Sequence, residues 1–139
     1  MRRTAHRFLM TVALCATAGT ASAQGHLRIG LGDDPDVLDP SLSRTYTGRI
    51  VFASICDKLF DIDEKLAIVP QLALSHETSA DGKQVTIKLR PGVKFHDGEP
   101  LDAAAAKYSL DRHLTMKGSF RKPEIGIVES VDVIDPLTI

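Results

Sequence analysis

The chain has 139 residues, 43% of them apolar and 25% charged, with a formal net charge of −1 at pH 7. That balance supports one domain or part of a larger one with a packed core, and excludes wholesale disorder. It contains nothing like the basic surface of a nucleic-acid-binding protein, so no nucleic-acid partner is expected.

The first 23 residues stand apart. "MRRTAHR" is basic and free of acid, "FLMTVALCATAGT" is a short apolar run, and "ASA" before Gln24 is a small-x-small cleavage pattern. Together they read as a secretory signal peptide over 1–23, cleaved after Ala23. The run is short for a bilayer span and is interrupted by Thr and Gly. Leu14 precedes Cys15 where a lipoprotein signal would carry a small residue. Arg2, Arg3 and Arg7 leave with this segment, so the net charge moves from −1 to −4. Cys15 leaves too, and a lone Cys56 cannot form an intrachain disulfide. The spacing of Cys56 from Phe52 suggests a small buried apolar residue on a helix.

Taken in order, "HLRIGLG" (26–32) predicts a short strand, and "DDPDVLDPS" (33–41) a loop rich in Asp and Pro. From about Tyr46 to Lys58 the apolar residues Ile50, Val51, Phe52, Ile55 and Cys56 recur at helical spacing, with Thr45 or Thr47 as a cap. "KLFDID" (58–63) predicts a strand and a turn near Glu64-Lys65. Val85, Ile87 and Leu89 alternate with polar residues, and Asp81-Gly82 supplies the turn of a β-hairpin with "LALSHET". "DAAAAKYSLDRHL" (102–114) predicts a helix with Asp102 as N-cap and Tyr108, Leu110 and Leu114 on its packed face. "KGSFRKPE" (117–124) reads as loop, and "IGIVESVDVID" (125–135) as a strand. The chain then turns at "DP" and stops at Leu137-Thr138-Ile139, which reads as the start of an unfinished hairpin strand and hence a fragment.

Catalytic chemistry is not expected. His76, His96, His113, Asp97 and Cys56 are the candidate groups, and no Gly-x-Ser-x-Gly, His-Glu-x-x-His or Gly-rich phosphate loop accompanies them. His76 falls in a strand, and His113 falls where the negative end of a helix would favour its charged form. The adjacent His96 and Asp97 would point apart on an extended chain, whereas a metal site needs several converging ligands. The pair reads as a turn at Asp97-Gly98, with the Asp97 carboxylate accepting a nearby N–H and Phe95 anchoring the loop in the core. No metal and no cofactor are implied.

Several of these stretches carry a resemblance. "LRIGLGDDPDVLDPSL", "CDKLFDID", "VPQLALSHETSADGKQVTIKLRPGVKFHDGEPLDA" and a helix containing "YSLDR" follow an export signal. This order resembles the N-terminal part of the family 5 extracellular solute-binding proteins, the dipeptide- and oligopeptide-type receptors of ABC importers. Pro70 to Gly98 is the most specific portion, through Pro70, Leu72, Ala73, Asp81, Gly82, Leu89, Arg90, Gly92, Val93, Phe95, His96, Asp97 and Gly98. One departure is that Asp102 takes a Thr place and Ala105-Ala106 replaces an Asp-aliphatic pair.

The resemblance implies an α/β, periplasmic-binding-protein type II-like fold. Residues 24–56 would begin lobe I, and 57–139 would form a small β-rich subdomain incomplete at its C-terminus. It implies a monomeric periplasmic receptor that closes on a solute, peptide-like above all, and docks on a permease of the inner membrane. Relatives also take glutathione-like molecules, opines, nickel chelates and sugars. By position from Leu38-Asp39-Pro40, the residues that line the family's cleft are Arg44, Thr45 and Tyr46. They precede a helix whose positive end favours a carboxylate or carbonyl. A secreted interaction domain and a piece of a secreted hydrolase are the competing classes.

Overall fold

Local signals build most of the elements. A computed structural model describes residues 25–139, so the signal-peptide reading of 1–23 and its cleavage site lie outside the described residues. Gly25–Gly30 form no regular element and belong to a separate unit from Leu31–Ile139. The strand expected at 26–32 does not form. Leu27 and Ile29 stay exposed, and no ladder partner reaches them among the described residues.

Helix α1 spans Tyr46–Ile55. Thr45 caps it, as expected, its side chain accepting from Gly48 N–H at 3.1 Å. The helix stops three residues short of expectation. Cys56 is extended at φ −129°, ψ 138°, with its N–H bonded to Phe52 O. That early stop leaves Cys56 exposed, not buried.

Strands β1 (Phe60–Ile62) and β2 (Ile68–Pro70) pair antiparallel, Asp61 facing Val69. Asp63 closes their turn, its carboxylate accepting from the N–H groups of Lys65 (2.8 Å) and Ala67 (2.9 Å). Strands β3 (Ala73–Thr78) and β4 (Val85–Leu89) form the expected hairpin. Gly82 takes φ +70° in the turn, where a Cβ would be strained, and donates to Ser79 O. The register shifts between Ala73 and Ser75, so Leu74 is an extra residue on β3. The two hairpins join through Leu59 O, which accepts from both Gln71 and Ala73 N–H, and through an edge-on contact between the rings of Phe60 and His76.

The free edge of β4 is covered by residues 137–139. Ile87 and Ile139 exchange both backbone bonds, at 2.7 and 3.1 Å, and Leu89 N–H reaches Leu137 O. The strand-like reading of 137–139 therefore holds, with β4 as its partner. The strand expected at 125–135 does not. Residues Lys122–Ile125 form a short helix, and beyond it only Asp135 is bridged, to Thr138. Alternation alone supplied no neighbouring strand for Val133 and Ile134, which remain exposed.

Helix α2 runs Ala103–Thr115, with Asp102 accepting from Ala105 N–H at 2.8 Å. The short helix Lys122–Ile125 is α3. The core lies where α2 crosses β4. Leu89, Ala103, Ala106, Val131 and Ile139 are buried together, with Leu59, Ile87, Leu110 and Leu137 packed around them. Ala103 and Ala106 are the buried helix residues of this cluster. Tyr108, expected on this face, is 69% exposed. Phe95 is 45% exposed, so its loop is held by backbone bonds rather than by the core. Phe95 N–H donates to Glu99 O and Gly98 N–H to Phe95 O.

Leu89→Ala should lower unfolding stability by about 2–5 kcal/mol, because the lost side chain leaves a cavity under α2. Asp102→Ala should cost about 1 kcal/mol by removing one cap bond. Urea titrations followed by circular dichroism check both, and equal effects would show that Leu89 is not central to the core.

Candidate functional site

The most highly organised polar region is the loop from Asp36 to Tyr46. Its backbone joins no ladder, so side chains and local turn bonds satisfy it. Asp36 Oδ2 accepts from Arg44 N–H at 3.0 Å, and Oδ1 from the hydroxyls of Ser43 (2.8 Å) and Thr45 (3.0 Å). The Arg44 amide and these hydroxyls hold the Asp36 carboxyl far below the usual carboxylate range. Gly48, on the first turn of α1, is buried against this carboxylate, and a Cβ there would collide with the Ser43 hydroxyl.

A second cluster ties the loop to α2. The Arg112 guanidinium forks onto both carboxylate oxygens of Asp39, the Nη1–Oδ1 bond being 3.0 Å, and also donates to the Ser41 hydroxyl. The Ser41 hydroxyl lies 2.9 Å from His113 Nδ1. The Ser41 oxygen thus sits between the Arg112 guanidinium and the His113 ring, and the tautomer of the imidazole sets which partner donates in the Ser41–His113 bond. Asp39 is held below its ordinary pKa by Arg112 first, and Arg112 above its own by Asp39. His113 is pushed down by burial and then by the charges of Arg112 and Arg121, with Asp39 and Glu124 opposing. The helix end expected to favour a charged His113 is thus outweighed by desolvation and two arginines. Phe120 N–H donates to Ser41 O, and Arg121 Nη2 to Ser43 O, so the segment before α3 straps the loop as well.

This framework places the three sequence-predicted contacts side by side at the start of α1. Arg44 is exposed, its guanidinium 5.3 Å from the centroid of the Phe120 ring. No carboxylate pairs with it among the described residues. Tyr46 is 79% exposed. Thr45 is half-buried, and its hydroxyl is committed to Asp36 and Gly48. Asp36, Asp39 and Arg112 were not singled out from sequence as functional, although "LDP" contains Asp39 and "YSLDR" contains Arg112. His96 and Asp97 lie elsewhere. Asp97 Oδ1 accepts from Glu99 N–H at 3.1 Å, the expected turn bond. His96 lines a cavity of about 180 Å³ with residues 53–57. Among the described residues, no three His, Cys, Asp or Glu side chains gather in a way that could hold a metal ion.

With this geometry in hand, the chain can be compared with known proteins. The family model described as bacterial extracellular solute-binding proteins, family 5 Middle, matches residues 67–139. The chain belongs to this family. The glutathione-binding protein GsiB of Pectobacterium atrosepticum is 33% identical over 112 residues, 80% of this chain and 22% of that protein. GsiB of Salmonella paratyphi A is 31% identical over 142 residues, 96% of this chain and 27% of that protein. The chain thus spans about a quarter of the length of the curated relatives it matches.

Among solved structures, AgaA from A. tumefacien in complex with agropinic acid is 34% identical with a TM-score of 0.70. The match covers 76% of this chain and 21% of that one. The oligopeptide-binding protein AppA from Bacillus subtilis, in complex with a nonapeptide, reaches a TM-score of 0.71 at 24% identity, with 76% and 21% coverage. The latter likeness is one of fold alone. The expected periplasmic-binding-protein type II-like α/β fold is the fold of these neighbours.

The depressed pKa of His113 means the unfolded chain binds the extra proton first on acidification. Its stabilising contribution is complete above about pH 6.5 and is lost as pH falls through the lower folded value. Asp36 and Asp39 act later, their contributions fading only below about pH 4. Urea midpoints from pH 7.5 to 5 should therefore fall for the native sequence and much less for His113→Gln.

Proposed function

We propose that the complete protein is the solute-binding component of an ABC importer, capturing peptide-like small solutes in the periplasm for delivery to an inner-membrane permease. The family match over residues 67–139 carries this reading. The names of the relatives support it, since they bind glutathione and agropinic acid, and both solutes carry carboxylates. Residues 1–23 serve as the export signal, cleaved after Ala23. Residues 24–56 begin lobe I, and 57–139 supply its small β-rich subdomain.

In this reading the protein is a monomeric receptor and not an enzyme. Binding needs no covalent step and no cofactor. A solute that binds the closed form better shifts the lobes toward closure, and the closed shape is what the permease recognises. Arg44 pairs with an anionic group of the solute, its guanidinium supported from behind by Phe120. Tyr46 stacks on the solute or hydrogen-bonds it. Thr45 contributes through its backbone, since its hydroxyl is occupied within the loop.

Thermal-shift screening of the complete protein with glutathione, dipeptides and agropinic acid should find saturable stabilisation by at least one of them. Arg44→Ala should weaken that solute on the order of tenfold, by loss of one charge-assisted contact. Solute turnover, or no response to any of the three classes, would contradict the reading. Residues 24–139 by themselves should show no saturable heat with the same solute in calorimetry.

A further inference from the structure

Resting on the reading of Arg44 and Tyr46 as solute contacts, we infer that Asp36 is a positioning residue for solute binding. It holds the backbone from which those two side chains project. Three consecutive residues donate to this one carboxylate, Ser43 and Thr45 through their hydroxyls and Arg44 through its amide. The hydroxyls of Ser43 and Thr45 are thereby turned to Asp36, and the side chains of Arg44 and Tyr46 are left exposed. The pattern is an alternation imposed by one anion in a segment with no partner strand.

The bond set also extends into the helix. Thr45 Oγ1 donates to Asp36 and accepts from Gly48 N–H, so the carboxylate, the cap and the first turn of α1 form one chain of hydrogen bonds. Gly48 leaves the space this requires, since a Cβ there would lie 3.3 Å from Asp36 Oδ1 and overlap the Ser43 hydroxyl. Arg121 Nη2 also donates to Ser43 O, at 3.1 Å. A contact pair held this way loses little conformational freedom when solute arrives, which raises affinity without any contact from Asp36 itself. Neither asparagine nor glutamate reproduces the arrangement. The amide of asparagine offers one oxygen where two are used, and glutamate sets the carboxylate one methylene further out.

The test is a double-mutant cycle in the complete protein, using glutathione, the dipeptide Met-Leu and agropinic acid as probes, well below every variant's melting temperature. Arg44→Ala/Tyr46→Ala should weaken the bound probe, and Asp36→Ala should weaken it on the order of tenfold. Combining all three changes should add little to the loss from the Arg44/Tyr46 pair, because Asp36 acts through them. Amide exchange at Arg44 should quicken in Asp36→Ala and in Asp36→Asn. A purely structural Asp36 would lower the melting temperature and leave the affinity of the folded protein unchanged, and that result overturns the proposal. Fully additive losses overturn it as well. Undiminished affinity in Arg44→Ala/Tyr46→Ala, or no saturable binding of any probe, instead overturns the reading of the site, and the proposal with it.

Discussion

The fork between Arg112 and Asp39 joins residues 73 positions apart, and the loop depends on it. From Leu31 to Thr45 the chain forms no helix and no ladder, yet it holds a definite course. Backbone groups that find no neighbour in a sheet must be satisfied some other way. Here carboxylates take the amides of Ser41 and Arg44, while those of Leu42 and Ser43 share Asp39 O. Asp39 takes the α2 arginine and the amide of Ser41, and Asp36 takes the next set of donors further along. The loop's shape is therefore a property of charge-assisted bonds, whose donors come from α2, from the segment before α3 and from the loop itself.

This has a bearing on the role proposed for the loop. A receptor that discriminates among solutes gains from contacts that are in place before binding, because ordering them afterwards costs affinity. A loop tied at Asp36, Asp39, Ser41 and Ser43 meets that need without a sheet. The same bonds leave Arg44 and Tyr46 exposed. The half-buried histidine in this network adds a sensitivity to mild acid that the carboxylates alone would not give, since their pKa values are held below the ordinary carboxylate range.

Much of the fold was legible because it rests on local chemistry. The hairpin of β3 and β4 follows from a period of two and a glycine that can adopt φ +70°. The start of α2 follows from Asp102 and four alanines, and the start of α1 from Thr45. The Asp97 turn was also readable, since its bond spans two residues. Failures came where pattern implied a partner that the chain does not provide. Residues 26–32 and 125–135 alternate or run apolar like strands, but a strand exists only beside another. Cys56, Phe95 and Tyr108 were assigned to a core that alanines and aliphatic residues already fill.

The sequence by itself determined the family, through the run from Pro70 to Gly98, and the positions of the caps and turns. Through the family resemblance it also implied Arg44, Thr45 and Tyr46 as cleft residues, matched by position from Leu38-Asp39-Pro40. Only the tertiary structure decided that the Thr45 hydroxyl is taken up by Asp36 while Arg44 and Tyr46 stay exposed, and that Arg112 meets Asp39. The physical reason is range. Caps and turns are closed by residues two to four apart and leave a local signature. The bond from Asp39 to Arg112 crosses more than half the chain, and no local pattern records which arginine will meet which aspartate.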